Sequence, residues 1–257
     1  MGPGVGRLLQ RHADGPTRGC ILASQTACMD TQDRQGRYLG FGFRDRSDAG
    51  QALGKALLQH RDWQDPVVLA LPRGGVPVAV EVARMLEAPL DVLVVRKIGH
   101  PRHEEFAVGA IASGGVVVMN DTAQGALGDP DRAAIDRILH REQAELRRRE
   151  ELYRGACAVV PVQGHEVIVV DDGLATGATM RAAVQALRSM KAARITVAVP
   201  LGARETVDAL ALVADDVVCV RTPEPFRSVG EWYGDFPQVS DEEVHALLLA
   251  AQRPLVA

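Results

Sequence analysis

The stretch V-I-V-V-D-D-G-L-A-T-G-A-T-M, residues 167–180, sets two adjacent carboxylates, Asp171 and Asp172, at the end of an apolar run. A loop of small and hydroxylated residues follows. A turn from strand to helix needs one capping Asp, Ser or Thr, so the second acid is surplus to structure. Ala175, Thr176, Gly177, Ala178 and Thr179 are small enough for backbone N–H groups to close around a phosphate, with two hydroxyls as further donors. The loop is not a Walker A loop, because no Lys follows its second Gly in the G-K-[ST] order. Asp171 and Asp172 would repel a phosphate directly, so their partners are donors: vicinal sugar hydroxyls or a hydrated divalent cation. A sugar phosphate satisfies both halves of the stretch.

Two other segments carry chemistry of the complementary sign. P-R-G-G, residues 72–75, places a fixed cation, Arg73, beside Gly74 and Gly75, which let backbone approach a ligand closely. R-K-I-G-H-P-R-H-E-E-F, residues 96–106, gathers Arg96, Lys97, His100, Arg102 and His103, with Glu104 and Glu105 following. Gly99 and Pro101 interrupt any regular element there, so a flexible loop over 96–107 is expected, mobile when empty and closing over a polyanion. Together Arg73 and this basic cluster suit a pyrophosphate. The plainer readings are a tight turn for 72–75 and a solvated charged loop for 96–106.

These segments need elements that bring them together. V-V-L-A-L-P (67–72), V-P-V-A-V-E-V-A-R-M-L-E (76–87) and L-D-V-L-V-V (90–95) read as strand, helix and strand, a βαβ unit whose parallel strands imply a sheet covered on both faces. From Glu166 the alternation resumes: strand 167–170, helix 179–190, strand 194–200, helix 203–213, strand 216–220. In such sheets ligands bind beyond the carboxyl ends of the strands, where helix N-termini present free N–H groups. A-V-G-A-I-A-S (107–113) and V-V-V-M-N, hinged by Gly114 and Gly115, suggest a hairpin. A short helix is expected near Ser47 to Gln59. One long helix is expected over 129–153, with Ile135, Leu139, Leu146 and Leu152 on about one face and its Arg and Glu residues on a solvated one.

Residues 1–36 lack sustained periodicity and read as a flexible N-terminal extension, with residues 37–257 as a single domain. The G-x-G-x-G at Gly2, Gly4 and Gly6 has no strand before it and is not a dinucleotide fingerprint. Segment 221–240 collects Phe226, Trp232 and Tyr233 within eight residues, between prolines and glycines. Two readings are open for these rings: a hood that stacks a flat heterocyclic acceptor, or a small satellite core.

A net charge of -4 and a pI near 6.0 give no overall basic surface for nucleic acid or anionic membrane. Cys20, Cys28, Cys157 and Cys219 form no C-x-x-C pair and have no His at ligand spacing, so neither a zinc site nor a disulfide framework is suggested, and a reduced, cytoplasmic setting is expected. No apolar run is long enough to span a bilayer, and the N-terminus lacks the order of a signal peptide. No G-x-S-x-G or H-E-x-x-H motif points to a hydrolase.

The constellation resembles the type I phosphoribosyltransferases, whose donor motif is an apolar strand, two acids and a Thr/Gly-rich phosphate loop. V-I-V-V-D-D-G-L-A-T-G-A-T matches that pattern throughout, the order of the three loops matches too, and looser resemblance covers about residues 37–240. The whole is most similar to a bacterial and archaeal group of predicted phosphoribosyltransferases whose acceptor is not established. The resemblance implies an α/β fold with a central, mostly parallel sheet, helices on both faces, a flexible loop and a small C-terminal hood. It implies a Mg²⁺-dependent pentosyl transfer from 5-phosphoribosyl-1-pyrophosphate (PRPP) to a nitrogenous acceptor, in nucleotide metabolism, with release of pyrophosphate. Asp171 and Asp172 then correspond to the ribose-hydroxyl carboxylates, residues 175–179 to the 5'-phosphate loop, and Arg73, Gly74 and Gly75 with Arg96 and Lys97 to the pyrophosphate site. Mg²⁺ is held mainly through PRPP and water, with Asp171 and Asp172 as candidate ligands; on the hood reading of the tail, Phe226, Trp232 and Tyr233 would bind the acceptor. Relatives acting on hypoxanthine or guanine carry Asp where this chain has Ala175, which argues against that specificity; A-T-G, the Arg-Gly of P-R-G-G and R-K are more similar to adenine-type enzymes. Some relatives keep the site only to sense PRPP as regulators, which is the alternative function. A homodimer is open to such a chain.

Overall fold

The computed structural model describes residues 19–22, 31–32, 38–39, 42–100, 103–119, 129–155 and 157–251, the first three segments and residues 103–107 and 129–132 as backbone alone. Its centre is a six-stranded, all-parallel sheet. In chain order its strands are β1 (Gly19–Leu22), β4 (Pro66–Ala70), β5 (Leu90–Val92), β9 (Glu166–Val170), β10 (Arg194–Leu201) and β11 (Asp216–Arg221). In space they lie in the order β1-β11-β10-β9-β4-β5. Two short strands, β2 (Thr31–Gln32) and β3 (Tyr38–Leu39), form a separate antiparallel ladder.

Strand composition explains why both faces are covered. Side chains alternate across a strand, and here both sets are apolar. Val68, Ala70, Ile168, Val170, Ala198 and Val218 face one way, against helices α1 (Arg46–His60), α2 (Gly75–Leu86) and others. Val67, Leu69, Val167, Val169, Val197, Val199, Val217 and Cys219 face the other. There they meet Met180, Ala183, Val184 and Leu187 of α4 (Ala178–Ser189) and Val207 and Leu210 of α5 (Arg204–Ala211). The last helix, α6 (Asp241–Ala251), adds Val244 and Leu248 to the first face.

Helix α3 (Asp129–Arg154) occupies the place of the long helix. Its buried stripe runs through Ile135 and Leu146 and then Tyr153, whereas Leu152 is 37% exposed. The step from 146 to 153 is seven residues, about two helical turns, which returns to the same face, while a step of six does not. The expected apolar face is therefore out by one position at Leu152.

Two further expectations are corrected. Gly19–Leu22, placed in a flexible extension, pairs in parallel with β11, register Gly19 with Asp216 through Leu22 with Cys219. The short apolar run G-C-I-L occupies an edge whose N–H and C=O groups would otherwise be unpaired; most of the remaining residues 1–36 lie outside the described residues. The flexible loop over 96–107 is instead largely regular. β6 (Val95–His100) and β7 (His103–Ala112) form an antiparallel hairpin, and β8 (Val116–Met119) extends it to three strands. The turn between β7 and β8 lies at Gly114 and Gly115, both at positive φ. This small sheet is fastened by Ile98 and Val108 packing on Ile135 of α3, which is why residues of charged-loop composition adopt strand geometry. Among the described residues no helix is long and apolar enough to cross a membrane.

Candidate active site

β4 and β9 are neighbours in register, Ala70 beside Val170. The chain leaves β4 toward β5 on one side, while β10 and β11 follow β9 on the other, so the order reverses between these two strands. This is the topological switch point at which open α/β sheets bind ligands. P-R-G-G leaves the carboxyl end of β4, and Asp171 and Asp172 leave that of β9. Leu71 N–H donates to the Val170 carbonyl at 2.8 Å, tying the two exits together.

The contact between the loops depends on glycine. A Cβ on Gly74 would lie 2.0 Å from Asp172 Oδ2, and one on Gly75 would lie 2.7 Å from the Val170 carbonyl oxygen and 3.3 Å from Asp171 Oδ1. Gly74 has ordinary helical angles, φ -61° and ψ -32°. Its requirement is thus close approach and not an unusual backbone conformation.

Asp171 and Asp172 are half-buried, the Asp172 side chain 15% exposed. Asp171 Oδ1 accepts from the Asp172 N–H at 2.9 Å, and Asp172 Oδ2 accepts from Arg46 Nε at 2.9 Å. Burial pushes the Asp171 carboxyl well above the usual carboxylate range, with the Asp172 charge adding to it. Burial raises Asp172 as well, opposed by Arg46. Two half-buried carboxylates side by side hold fewer than two charges comfortably, so the pair is poised for partners that donate hydrogen bonds.

Past the acids, the buried Leu174 side chain anchors the phosphate-type loop, and its backbone exchanges hydrogen bonds with Leu201 O and Ala203 N at 3.0 and 2.9 Å. Thr206 Oγ1 donates to the Ala175 carbonyl at 2.7 Å. Gly177, at φ 67°, is the N-cap of α4 and brings no capping side chain; a side chain there would be strained. Ala175, Thr176, Ala178 and Thr179 are exposed. The first N–H groups of α4 thus face outward beside two hydroxyls, an anion cradle.

A cleft of about 510 Å³ opens over Asp172 and Gly74, lined also by Arg46, Arg73 and tail residues including Phe236 and Gln238. Arg73 is half-exposed and its Nη1 lies 3.6 Å from Asp241 Oδ1, while Tyr153 OH donates to that same oxygen at 2.8 Å. Burial, with the Asp241 carboxylate as acceptor, holds the Tyr153 phenol up at about 12. The Pro72–Arg73 peptide is cis.

Other expected site residues lie elsewhere. Arg96 sits on β6 with Nε and Nη2 on Glu142 Oε2 of α3, Nε at 2.8 Å. Lys97 on the same strand is exposed, and His100 ends it. Arg102 and the side chains of His103, Glu104 and Glu105 lie outside the described residues. Phe226, Trp232 and Tyr233, expected to face the acceptor, pack into one cluster. Tyr233 is 7% exposed and packs with Phe43, Ala49 and Leu201, with Phe226, Val229, Trp232 and Phe236 around them. Its hydroxyl donates to the Asp172 carbonyl at 2.6 Å, and burial with the nearby Asp172 charge raises its phenol far above the usual range. Phe236 packs against Tyr233 at 4.8 Å between ring centroids and against the Arg46 guanidinium at 3.7 Å from its ring centre. Tyr233 is the buried centre of this satellite cluster, while Phe226 and Trp232 are only partly buried at its margin.

Sequence reasoning misses Arg46. Asp45 caps α1 by accepting from the Asp48 N–H at 2.8 Å, and this fixes Arg46 as the first helical residue. The D-R-S-D pattern signals the cap, but nothing local tells a buried Arg from a solvated one.

A family model for the phosphoribosyl transferase domain matches residues 47–226. The chain belongs to this family. It is 47% identical over 211 residues to a protein provisionally named a phosphoribosyl transferase in two Mycobacterium tuberculosis strains, CDC 1551 and H37Rv. The match covers 82% of this chain and 47% of theirs, so the chain spans about half the length of the curated relatives it matches. A Thermus thermophilus protein of known crystal structure is 43% identical, with a TM-score of 0.74 over 81% of this chain and 98% of that one. The phosphoribosyltransferase domain therefore has the α/β architecture, a parallel sheet between helices, that the motif implied.

Proposed function

We propose that this domain transfers the 5-phosphoribosyl group of PRPP to a nitrogenous acceptor and releases pyrophosphate. The observation that carries this reading is the abutment of Gly74 on Asp172, which puts an anion-type loop and a hydroxyl-accepting acid pair within one sugar phosphate of each other. Asp171 and Asp172 accept hydrogen bonds from O2' and O3' of the ribose. The N–H groups opening α4, with Thr176 and Thr179, hold the 5'-phosphate. Arg73 and the amide of Gly74 face the pyrophosphate, while the Gly75 N–H donates to the Leu71 carbonyl at 3.1 Å and fixes the turn.

In the reaction the bond from C1' to the pyrophosphate oxygen breaks, its electrons leaving with pyrophosphate, and an acceptor nitrogen supplies the lone pair for the new C1'–N bond. The acceptor's proton passes to solvent. Positive charge develops on the ribose ring as in other glycosyl transfers, and the acid pair stabilises it; one such contact is worth about 3 to 4 kcal/mol. Among the described residues no three metal-ligating side chains converge. Two carboxylates beside a polyphosphate are the donor set that Mg²⁺ favours, since it keeps several waters and takes substrate oxygens. Bound there through PRPP, with Asp171 or Asp172 within its reach, it would neutralise the leaving group.

The test is pyrophosphate release from PRPP and Mg²⁺ against purine, pyrimidine and other nitrogen heterocycles. Release that the Asp171→Asn, Asp172→Asn double variant abolishes while remaining folded supports transfer. PRPP binding by calorimetry, unchanged in that variant, would sink the assignment. One observation favours a second reading, PRPP binding for regulation without transfer: Arg96 is engaged by Glu142 and not held over the cleft. That reading expects tight PRPP binding and no pyrophosphate release with any acceptor.

A further inference from the structure

Arg46 lies outside the donor motif, 126 residues from Asp172 in the chain, yet it is only 8% exposed and lines the cleft. Three different segments hold it. Nε donates to Asp172 Oδ2 at 2.9 Å, Nη1 donates to the Pro237 carbonyl at 2.8 Å, and the guanidinium plane lies 3.7 Å from the centre of the Phe236 ring. Asp172 is in turn held at its main chain, where Tyr233 OH donates to its carbonyl at 2.6 Å, and Tyr233 also stacks on Phe236. Side chain and backbone of one carboxylate residue are thus braced by two groups that share a single aromatic ring.

A structural ion pair alone does not require this arrangement. Burying an Arg and an Asp is weak evidence for stability, because desolvation offsets most of the attraction. An Arg fork fixed by a carbonyl and a ring has little freedom left, and it therefore defines the direction of the carboxylate it touches. Gly74 closes the remaining side of Asp172.

We infer that Arg46 is a positioning residue, which, cross-braced with Tyr233 through Phe236, fixes the Asp172 carboxylate in the orientation that receives the ribose hydroxyls. This rests on the proposed donor site and adds a residue to it from outside the motif. The tail from Val229 to Val239 then serves the donor half of the site, as the frame for an acid on the opposite side of the cleft. Arg46 acts through Asp172 and touches no reacting atom.

A double-mutant cycle tests this, with PRPP dissociation constants measured by calorimetry in the presence of Mg²⁺ and melting temperatures recorded for each variant. Arg46→Gln is expected to weaken PRPP binding by about ten- to a hundredfold, the scale of losing a hydrogen bond to a charged group. Arg46→Lys should recover only part, since it restores charge without the fork. In the Asp172→Asn background, Arg46→Gln should have no further effect on PRPP binding, because the group it orients has been altered. Should Arg46→Gln not fold, Phe236→Leu keeps an apolar side chain while removing the ring, and it should weaken PRPP binding in the same Asp172-dependent way. Equal losses from Arg46→Gln with and without Asp172 would overturn the inference, as would full PRPP affinity in folded Arg46→Gln or Phe236→Leu. No effect of Asp172→Asn itself on PRPP binding would instead overturn the donor-site reading beneath it.

Discussion

Replacing Gly74 by Ala isolates the contact on which the donor site depends. The backbone at Gly74 is helical, φ -61° and ψ -32°, so Ala fits the conformation and the whole effect comes from one methyl group. That methyl would stand 2.0 Å from Asp172 Oδ2 and 2.6 Å from its Cγ, whereas ordinary van der Waals contact begins at 3.4 Å. The carboxylate must withdraw by about 1.4 Å to reach it. It cannot swing freely, because Arg46 Nε holds Oδ2 at 2.9 Å and Tyr233 holds the Asp172 carbonyl. The strain corresponds to overpacking, about 1 to 3 kcal/mol, which for a protein of this size lowers the melting temperature by about 2 to 12 °C. Displacement of the acid by more than 1 Å breaks its hydrogen bonds to the ribose and should cost PRPP affinity about ten- to a hundredfold. Calorimetric titration of PRPP with Mg²⁺, paired with thermal melts, reads both. Gly75→Ala provides the contrast: its Cβ would meet the Val170 carbonyl at 2.7 Å, backbone of the central sheet, so stability should suffer more. Wild-type PRPP affinity in folded Gly74→Ala would refute the claim that this close approach builds the donor site.

Three further outcomes are expected. Asp171 has its acidity weakened by burial and by Asp172; a carboxyl whose folded value is raised contributes stability that is full below its unfolded value and is lost as pH rises through the folded one. Asp171→Asn should therefore melt higher than the wild type, by a margin that grows with pH across that window, while losing PRPP binding; a margin that shrinks with rising pH contradicts the burial argument. Tyr233→Ala should cost about 3 to 5 kcal/mol by emptying the satellite core, and Tyr233→Phe only about 0.5 to 1.5 kcal/mol for the hydroxyl; a selective acceptor defect without a fall in melting temperature in Tyr233→Ala would support the hood. Glu142→Gln releases Arg96 from its carboxylate, and if Arg96 serves the leaving group, affinity for pyrophosphate should rise by up to about fivefold, the scale of a partly exposed ion pair; unchanged or weaker affinity would separate Arg96 from the pyrophosphate site.

The features that local pattern does not reveal share a cause. Residues 96–106 have the charge and glycine content of a loop, yet β6 and β7 form because Ile98 and Val108 find Ile135 on a helix more than 25 residues away. Phe226, Trp232 and Tyr233 have the composition of a stacking hood, and the partners in their cluster, Phe43 and Leu201, come from segments whose proximity no local pattern reveals. Arg46 reads as one more charge after a helix cap, and only the path of the tail across the cleft shows that it is buried against Asp172.

By itself the sequence determined what local physics controls. Short continuous apolar runs bounded by turn residues, alternating with helical patterns, fit strands buried on both faces of a parallel sheet. Adjacent acids before a Gly/Thr turn declare their chemistry through side-chain type and spacing alone. The tertiary structure decided the rest: β4 and β9 lie side by side, so two loops about 100 residues apart meet, and Gly74, Arg46 and Tyr233 converge on one carboxylate. Strand order and side-chain burial are set by the summed free energy of the whole core, and no window of the chain contains that sum.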